Sequence, residues 1–344
     1  MIGVGILKEV DALSSDEQLH NRSLVIARAA HERGITMKAL KLSGTRETNL
    51  FSFVISGRKI IFEGLPLIEV GHVQPVDFDD KFTLKQILKE NGFPYARGMA
   101  FHNSAMALAY AKTLGFPLVV KPRSGSLSRH TTCDIRSESA LREAIRVVQM
   151  ISREYVLEEF IPGDVYRVTL VGDRVLACCL REPPNVIGDG IHMVEELITM
   201  KNEDARRGDI HQKNFTLHKI HSGQKAKSLL AELGLNSKSV PPSKKKIYLH
   251  DKVVLGCGAD IHDKTDEIHP DNRIVLERLS RFLRAPIVGI DIIAEDIAKP
   301  FREQACAIIE ANSLPYIDMH HFPVTGQPRD VAGYIVDVAL DKTP

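Results

Sequence analysis

Two periodicities organise the first 80 residues. Ile2–Leu7 and Thr36–Leu40 read as strands, and Ser23–Arg33 as a helix ended by Gly34. Short strands at Phe51–Ile55 and Lys59–Phe62 follow, joined by a turn at Ser56 and Gly57, and the acidic tract Asp77, Asp79 and Asp80 closes this small α/β unit. A helix over Thr83–Asn91 then carries Leu84, Ile87 and Leu88 on one face, with Gly92 as its C-terminal cap. The almost wholly apolar run Pro117–Lys121 reads as a buried strand that stops abruptly in a loop of Gly, Ser and Arg. A helix over Glu138–Met150 leads into a strand at Tyr155–Phe160, and Arg167–Leu170 with Arg174–Cys179 read as an antiparallel pair turning at Gly172 and Asp173. From Lys201 to Lys246 the chain is polar and basic, with Lys244, Lys245 and Lys246 in a row, and reads as solvated insertions. Periodicity returns in the last third: Val275, Leu279 and Phe282 share a helix face, and Ile287–Ile293 and Ala307–Ile309 read as buried strands.

A chain of 344 residues exceeds one ordinary domain, so two or three packed α/β subdomains are expected. The formal charge of +1 leaves no global field to hold nucleic acid or an anionic membrane, so any anion site must be local. Five cysteines, Cys133, Cys178, Cys179, Cys257 and Cys306, lack metal-ligand spacing and read as reduced thiols. The apolar N-terminus is broken by Lys8 and Glu9 and lacks a basic leader, and no stretch reaches the roughly 20 apolar residues of a membrane span, so the expected location is cytoplasmic.

Two constellations carry chemistry. Lys121 ends a buried strand and is followed by Pro122, Arg123, Ser124, Gly125 and Ser126, where an ammonium and loop amides can meet phosphate oxygens. A strand-end lysine reaching solvent is the plainer alternative. Glu310 and Asn312 alternate along Ile308–Asn312 and leave one face of a strand, while Asp291 lies among Gly289, Ile290, Ile292 and Ile293, where an uncompensated carboxylate would cost several kcal/mol. A hard cation removes that cost, and all-oxygen ligands favour Mg²⁺ or Mn²⁺ over zinc. Pairing of these acids with nearby arginines is the alternative.

Lys121 with its loop, Leu157-Glu158-Glu159-Phe160-Ile161-Pro162-Gly163, Tyr166-Arg167-Val168 and Ile309-Glu310-Ala311-Asn312 resemble, in that order, the ATP-grasp ligases. Arg181–Gly190, Glu203–Asp209, Asp263–Asn272 and Gly289–Asp296 are similar to the ATP-grasp domain of cyanophycin synthetase, as are Met319, His320, Gly326, Pro328 and Arg329. The resemblance spans roughly 81–340. It implies an α/β (α+β) ATP-grasp fold with a pre-ATP-grasp unit at 1–80 and a body at 81–344, about 95–160 being the small lid and about 161–344 the catalytic subdomain. It further implies that Lys81 and Lys121, with Ser124 and Gly125, hold ATP phosphates, and that Glu158, Glu159, Phe160 and Ile161 form the hinge that meets adenine. Arg167 and Arg181 would steady the transferring phosphoryl group, and Asp291, Glu310 and Asn312 would bind Mg²⁺ (or Mn²⁺). The reaction implied is amide formation between a carboxylate and an amine, on an amino acid or peptide. Self-association into a homo-oligomer through the apolar surface of the N-terminal unit is a separate expectation that no specific motif carries.

Several positions depart from the pattern. Ser124 to His130 keeps one glycine where the family has a run of them. Val165 stands where many members place the ribose acid, and Asp164 beside it is the expected substitute after a small shift. His250–Asp260 replaces the amino-acid site of the cyanophycin enzymes, whose substrate is therefore not expected here, and the chain is expected to stand without their Mur-ligase-like domain. His320 and His321, as neighbours on an extended segment, would face opposite ways; Cys257 reads as packing; and Tyr316 either shapes an acceptor site or is a surface aromatic. A catalytically weak nucleotide-binding module is the competing function.

Overall fold

The computed structural model describes residues 7–14, 19–42, 49–55, 57–68, 74–125 and 130–341. Nearly all of the strand expected at Ile2–Leu7, as well as Ser56 and the lid-loop residues Ser126 to Arg129, therefore lie outside the described residues. The chain divides into two compact units, each assembled from separate stretches: residues 1–73, 181–263 and 316–344 form one, and residues 74–180 and 264–315 the other.

The second unit is built on two antiparallel sheets. In the first, Arg174–Glu182, Asp164–Val171, Ile287–Ala294 and Cys306–Asn312 lie side by side in that order, the last two residues of Arg174–Glu182 belonging to the other unit. Alternation sorts this sheet into two faces. Tyr166, Val168, Leu170, Val288, Ile290, Ile292 and Ala311 point into an apolar core with Leu84 and Leu88 of the helix Lys81–Glu90 and Leu276, Leu279 and Leu283 of the helix Pro270–Leu283. Arg167, Asp291, Glu310 and Asn312 point the other way. Asp80 caps the Lys81 helix by accepting from the Thr83 amide (2.8 Å), and Gly92 takes the positive φ of 68° that ends it. Phe282, expected on the buried stripe, is 45% exposed; Leu279 is buried as expected, but Leu276 and Leu283 accompany it inward in place of Val275 and Phe282, each one residue further on.

The second sheet orders Gly98–Phe101, Tyr155–Glu159, Leu118–Pro122 and Thr132–Ile135. It packs on Glu138–Gln149, capped by Ser137, and on Ser104–Leu114, an alanine-rich helix that the apolar pattern did not disclose.

In the other unit, Leu7–Asp11, Lys38–Leu42, Leu50–Ile55 and Arg58–Glu63 make a four-stranded antiparallel sheet. Its helices Asn21–Glu32 and Val331–Asp341 are tied by Arg33 to Asp337 (Nη2 to Oδ2, 2.9 Å). The extended segment expected at Thr36–Leu40 begins two residues later, at Lys38. The largest difference is in 201–246. Lys244, Lys245 and Lys246 are exposed as expected, but the stretch around them holds a helix, Gln224–Glu232, and joins a small core of Val186, Val194, Leu197, Ile198, Ile220, Leu230 and Ile247. It is a packed element, not a solvated insertion, because Ile220, Ala226 and Leu230 turn inward even though Ile210, Leu233 and Val240 stay exposed.

Candidate functional site

The site face of the first sheet is set by register. Arg167, Asp291 and Glu310 are direct partners across three neighbouring strands, and Gly289 and Asn312 form the next pair on the same side. The ladder between the last two strands slips by one residue, so that Asp291 pairs Glu310 while Ile292 pairs Ile308, leaving Ile309 as a bulge. Strict alternation would put Ile308 beside Glu310; the bulge instead sends Ile308 to the core and Glu310 to the site, and its carbonyl accepts from Lys121 Nζ at 3.4 Å. Gly289 leaves room for the arginine: a Cβ there would lie 2.7 Å from Pro315 and 3.0 Å from Arg167 Nη1.

Within this row charges are matched by protein groups. The buried Asp291 carboxylate accepts from Arg167 Nε, and although burial opposes the charge, Asp291 holds the guanidinium above its usual range. Lys81 Nζ lies 3.3 Å from Glu310 Oε1 and donates to Gly125 O (2.5 Å), and the Lys81 amide donates to Arg123 O (3.2 Å), so this helix start secures the loop entry that carries Ser124 and Gly125, both exposed. Asn312 Nδ2 donates to Gly289 O (3.3 Å), which turns its oxygen, the atom a cation needs, the other way. Two carboxylates and an amide oxygen on one face fit a hard divalent cation.

Glu158 sits at the meeting point of two lysines. Its Oε1 takes Lys121 Nζ at 2.6 Å and its Oε2 lies 2.8 Å from Lys85 Nζ, with all three side chains at most 8% exposed. Burial pushes the Glu158 carboxyl up, but the lysines outweigh it and hold it below the usual range; burial lowers the Lys85 ammonium more than Glu158 restores it. Lys85 was missed in the sequence. The signal available was its spacing of four from Lys81, which stacks the two on a helix flank.

The rest of the hinge is held by backbone: Glu159 N donates to Arg97 O (2.9 Å) and Phe160 N to Pro117 O (3.1 Å), while Ile161 is half-buried and the Glu159 carboxylate takes Arg97 Nε (2.7 Å). Asp164 is exposed and, by alternation, on the Tyr166 side of its strand, opposite Arg167. Arg181, half-buried, belongs to the other unit. His320 ends a 3₁₀ turn, Ile317–His320, instead of lying on an extended segment, and His321 Nε2 accepts from the Ala332 amide (3.1 Å) as a structural contact. Burial pushes the Cys257 thiol up, the wrong direction for a nucleophile. Tyr316 packs on Arg22, whose guanidinium lies 4.9 Å from the ring centre.

The other unit holds a second polar cluster. Glu182, Asp260 and His262 bring ligand atoms within 4.8 Å of one another. Asp260 is taken by Arg207 and by Lys201 (2.5 Å), and Glu182 by Lys246 (2.5 Å), Tyr248 (3.0 Å) and His262 (3.3 Å). Arg207, Lys201 and Lys246 pair with these acids, so the cluster is also an ion-pair network.

No protein-family model matches the chain. Among curated proteins it is 37% identical over 262 residues to cyanophycin synthetase of Nostoc sp., which covers 75% of this chain and 29% of that protein. The chain belongs to the ATP-grasp ligase superfamily. It is also 31% identical over 275 residues to the glutathione biosynthesis bifunctional protein of Clostridium perfringens, covering 79% of this chain and 35% of the relative. A bifunctional glutathione synthetase from Pasteurella multocida superposes with a TM-score of 0.69 at 23% identity, over 96% of this chain and 45% of that one, a likeness of fold. The chain thus spans about a third of the length of these ATP-grasp relatives.

Proposed function

We propose that the chain is an ATP-dependent carboxylate–amine ligase, and that the row Arg167, Asp291, Glu310 with Asn312 beside it is where ATP is used. That row is the observation that carries the reading: oxygen donors and a guanidinium share one sheet face, and Lys121 of the second sheet reaches the carbonyl of the Ile309 bulge. Lys81 and Lys121 bind the phosphates, the hinge Glu158–Ile161 takes the adenine, and Asp291, Glu310 and Asn312 hold Mg²⁺ or Mn²⁺, which supplies neutralisation of phosphate charge. Arg167 steadies the phosphoryl group in flight. A carboxylate oxygen takes the γ-phosphoryl group of ATP, ADP leaves and an acyl phosphate results; an amine then attacks the acyl carbon, phosphate leaves, the nitrogen loses a proton and an amide forms. Residues 81–344 are the ATP-grasp body in this reading. The substrates are small molecules of the amino acid or peptide class, in keeping with the relatives' names. Five free cysteines support a reducing compartment such as the cytoplasm, and no described helix is long and apolar enough to cross a membrane.

The test is ADP release with ATP and Mg²⁺ against pools of amino acids and short peptides. Substrate-dependent ADP release that falls at least about 100-fold in Lys121→Ala and in Glu310→Gln is the expected outcome. Release that survives both substitutions sinks the site assignment, and ATP binding without turnover on any pool favours a non-catalytic nucleotide module.

A further inference from the structure

Building on the ATP-site reading, we propose that Lys85 is a positioning residue that lets Lys121 leave Glu158 for the nucleotide. A buried carboxylate needs a permanent counter-charge, and Glu158 is among the most enclosed acids in its unit. Lys121 supplies one charge at Oε1 and Lys85 the other at Oε2. The two differ in what else holds them. Lys85 is anchored by a second bond, to Ala96 O at 2.5 Å, and rises from the middle of a packed helix. Among the described residues, Lys121 has only a long 3.4 Å contact to the bulged Ile309 carbonyl besides Glu158, and it stands where the strand gives way to the loop. When phosphate arrives, Lys121 is the ammonium that can turn, and Lys85 keeps Glu158 neutralised after it has gone. Without Lys85, Glu158 would depend on Lys121 alone, and moving that lysine to a phosphate would leave a bare buried carboxylate.

The experiment is a cycle of MgATP affinities measured by calorimetry on the full chain: wild type, Lys85→Met, Glu158→Gln and the double variant, each checked for folding by circular dichroism. Lys85→Met should weaken MgATP binding at least about tenfold in the Glu158 background and less than about threefold in the Glu158→Gln background, where no carboxylate remains to trap Lys121. At saturating ATP, kcat in Lys85→Met should change far less than KM. An equal loss in both backgrounds makes Lys85 a direct ligand or a general scaffold residue and overturns the proposal, as does no loss in either. If Lys85→Met alone fails to fold, the comparison of Glu158→Gln with the double variant decides: a further loss above tenfold overturns the proposal and a loss below threefold upholds it. Absence of MgATP binding by the wild type would instead strike the underlying site reading.

Discussion

Gly289 shows how much of a site is decided by an atom that is not there. Its missing Cβ is the space over which Arg167 reaches Asp291. Gly289→Ala is expected to cost about 1–3 kcal/mol of stability through overpacking against Pro315 and, by displacing the guanidinium, to slow ADP release by about tenfold or more. A rate within twofold of wild type, read beside a chemical denaturation curve, would show that Arg167 tolerates the shift. The sequence marked Gly289 only as part of the stretch Gly289–Asp296; that its missing Cβ makes room for Arg167 needed the fold. Lys121, Asp291, Glu310 and Asn312 stood out in the sequence because polar residues stood where burial demanded apolar ones. Lys85 was not, because a lysine on an amphipathic helix is ordinarily solvated, and only the fold brings Glu158 to it.

At the scale of an element, the Cys306–Asn312 strand carries the most information per residue. Removal of Ile309 keeps both pairings beside it, Ile292 with Ile308 and Asp291 with Glu310, so this deletion should melt within about 3 °C of wild type while losing the carbonyl that Lys121 meets and hence ATP affinity. Removal of Ala311 brings Glu310 and Asn312 next to each other and turns one of them toward the apolar core, which should lower the melting temperature by about 5 °C or more. Melting curves that rank the two deletions the other way would contradict the register. Alternation alone correctly set Glu310 and Asn312 on one face but said nothing of Ile308, because a bulge leaves no mark in the spacing of apolar residues. The Pro270–Leu283 helix failed differently: Phe282 and Leu283 are equally apolar, and only packing chose between them. In residues 201–246 the basic composition concealed a core, since Lys201 and Arg207 are folded inward onto Asp260 and charge counts do not reveal partners.

Over the whole molecule, the net charge of +1 conceals strong local pairing, and acid should expose it. Burial raises the Glu182 carboxyl, but His262, Lys246 and Tyr248 outweigh it and bring it down to about 2 from 4.5. Because the folded value lies below the unfolded one, the unfolded chain takes up the proton first on acidification. The stability contributed is therefore complete above pH 4.5 and is lost as the pH falls towards 2. Urea unfolding between pH 6 and 3 should show this decline, and Glu182→Gln should flatten part of it; an unchanged slope in the variant would place the acid sensitivity elsewhere, with Glu158 the next carboxyl to test.

The interleaving of the two units bears on how the chain is made. A ribosome delivers residues in order, yet the sheet that bears the Arg167 row is short of its outer strand until Asn312 has been synthesised, and the partner of the Asn21–Glu32 helix, Val331–Asp341, comes later still. Until those segments emerge, then, each half waits with an apolar face uncovered, and the Arg167 row is complete only once Asn312 has been made.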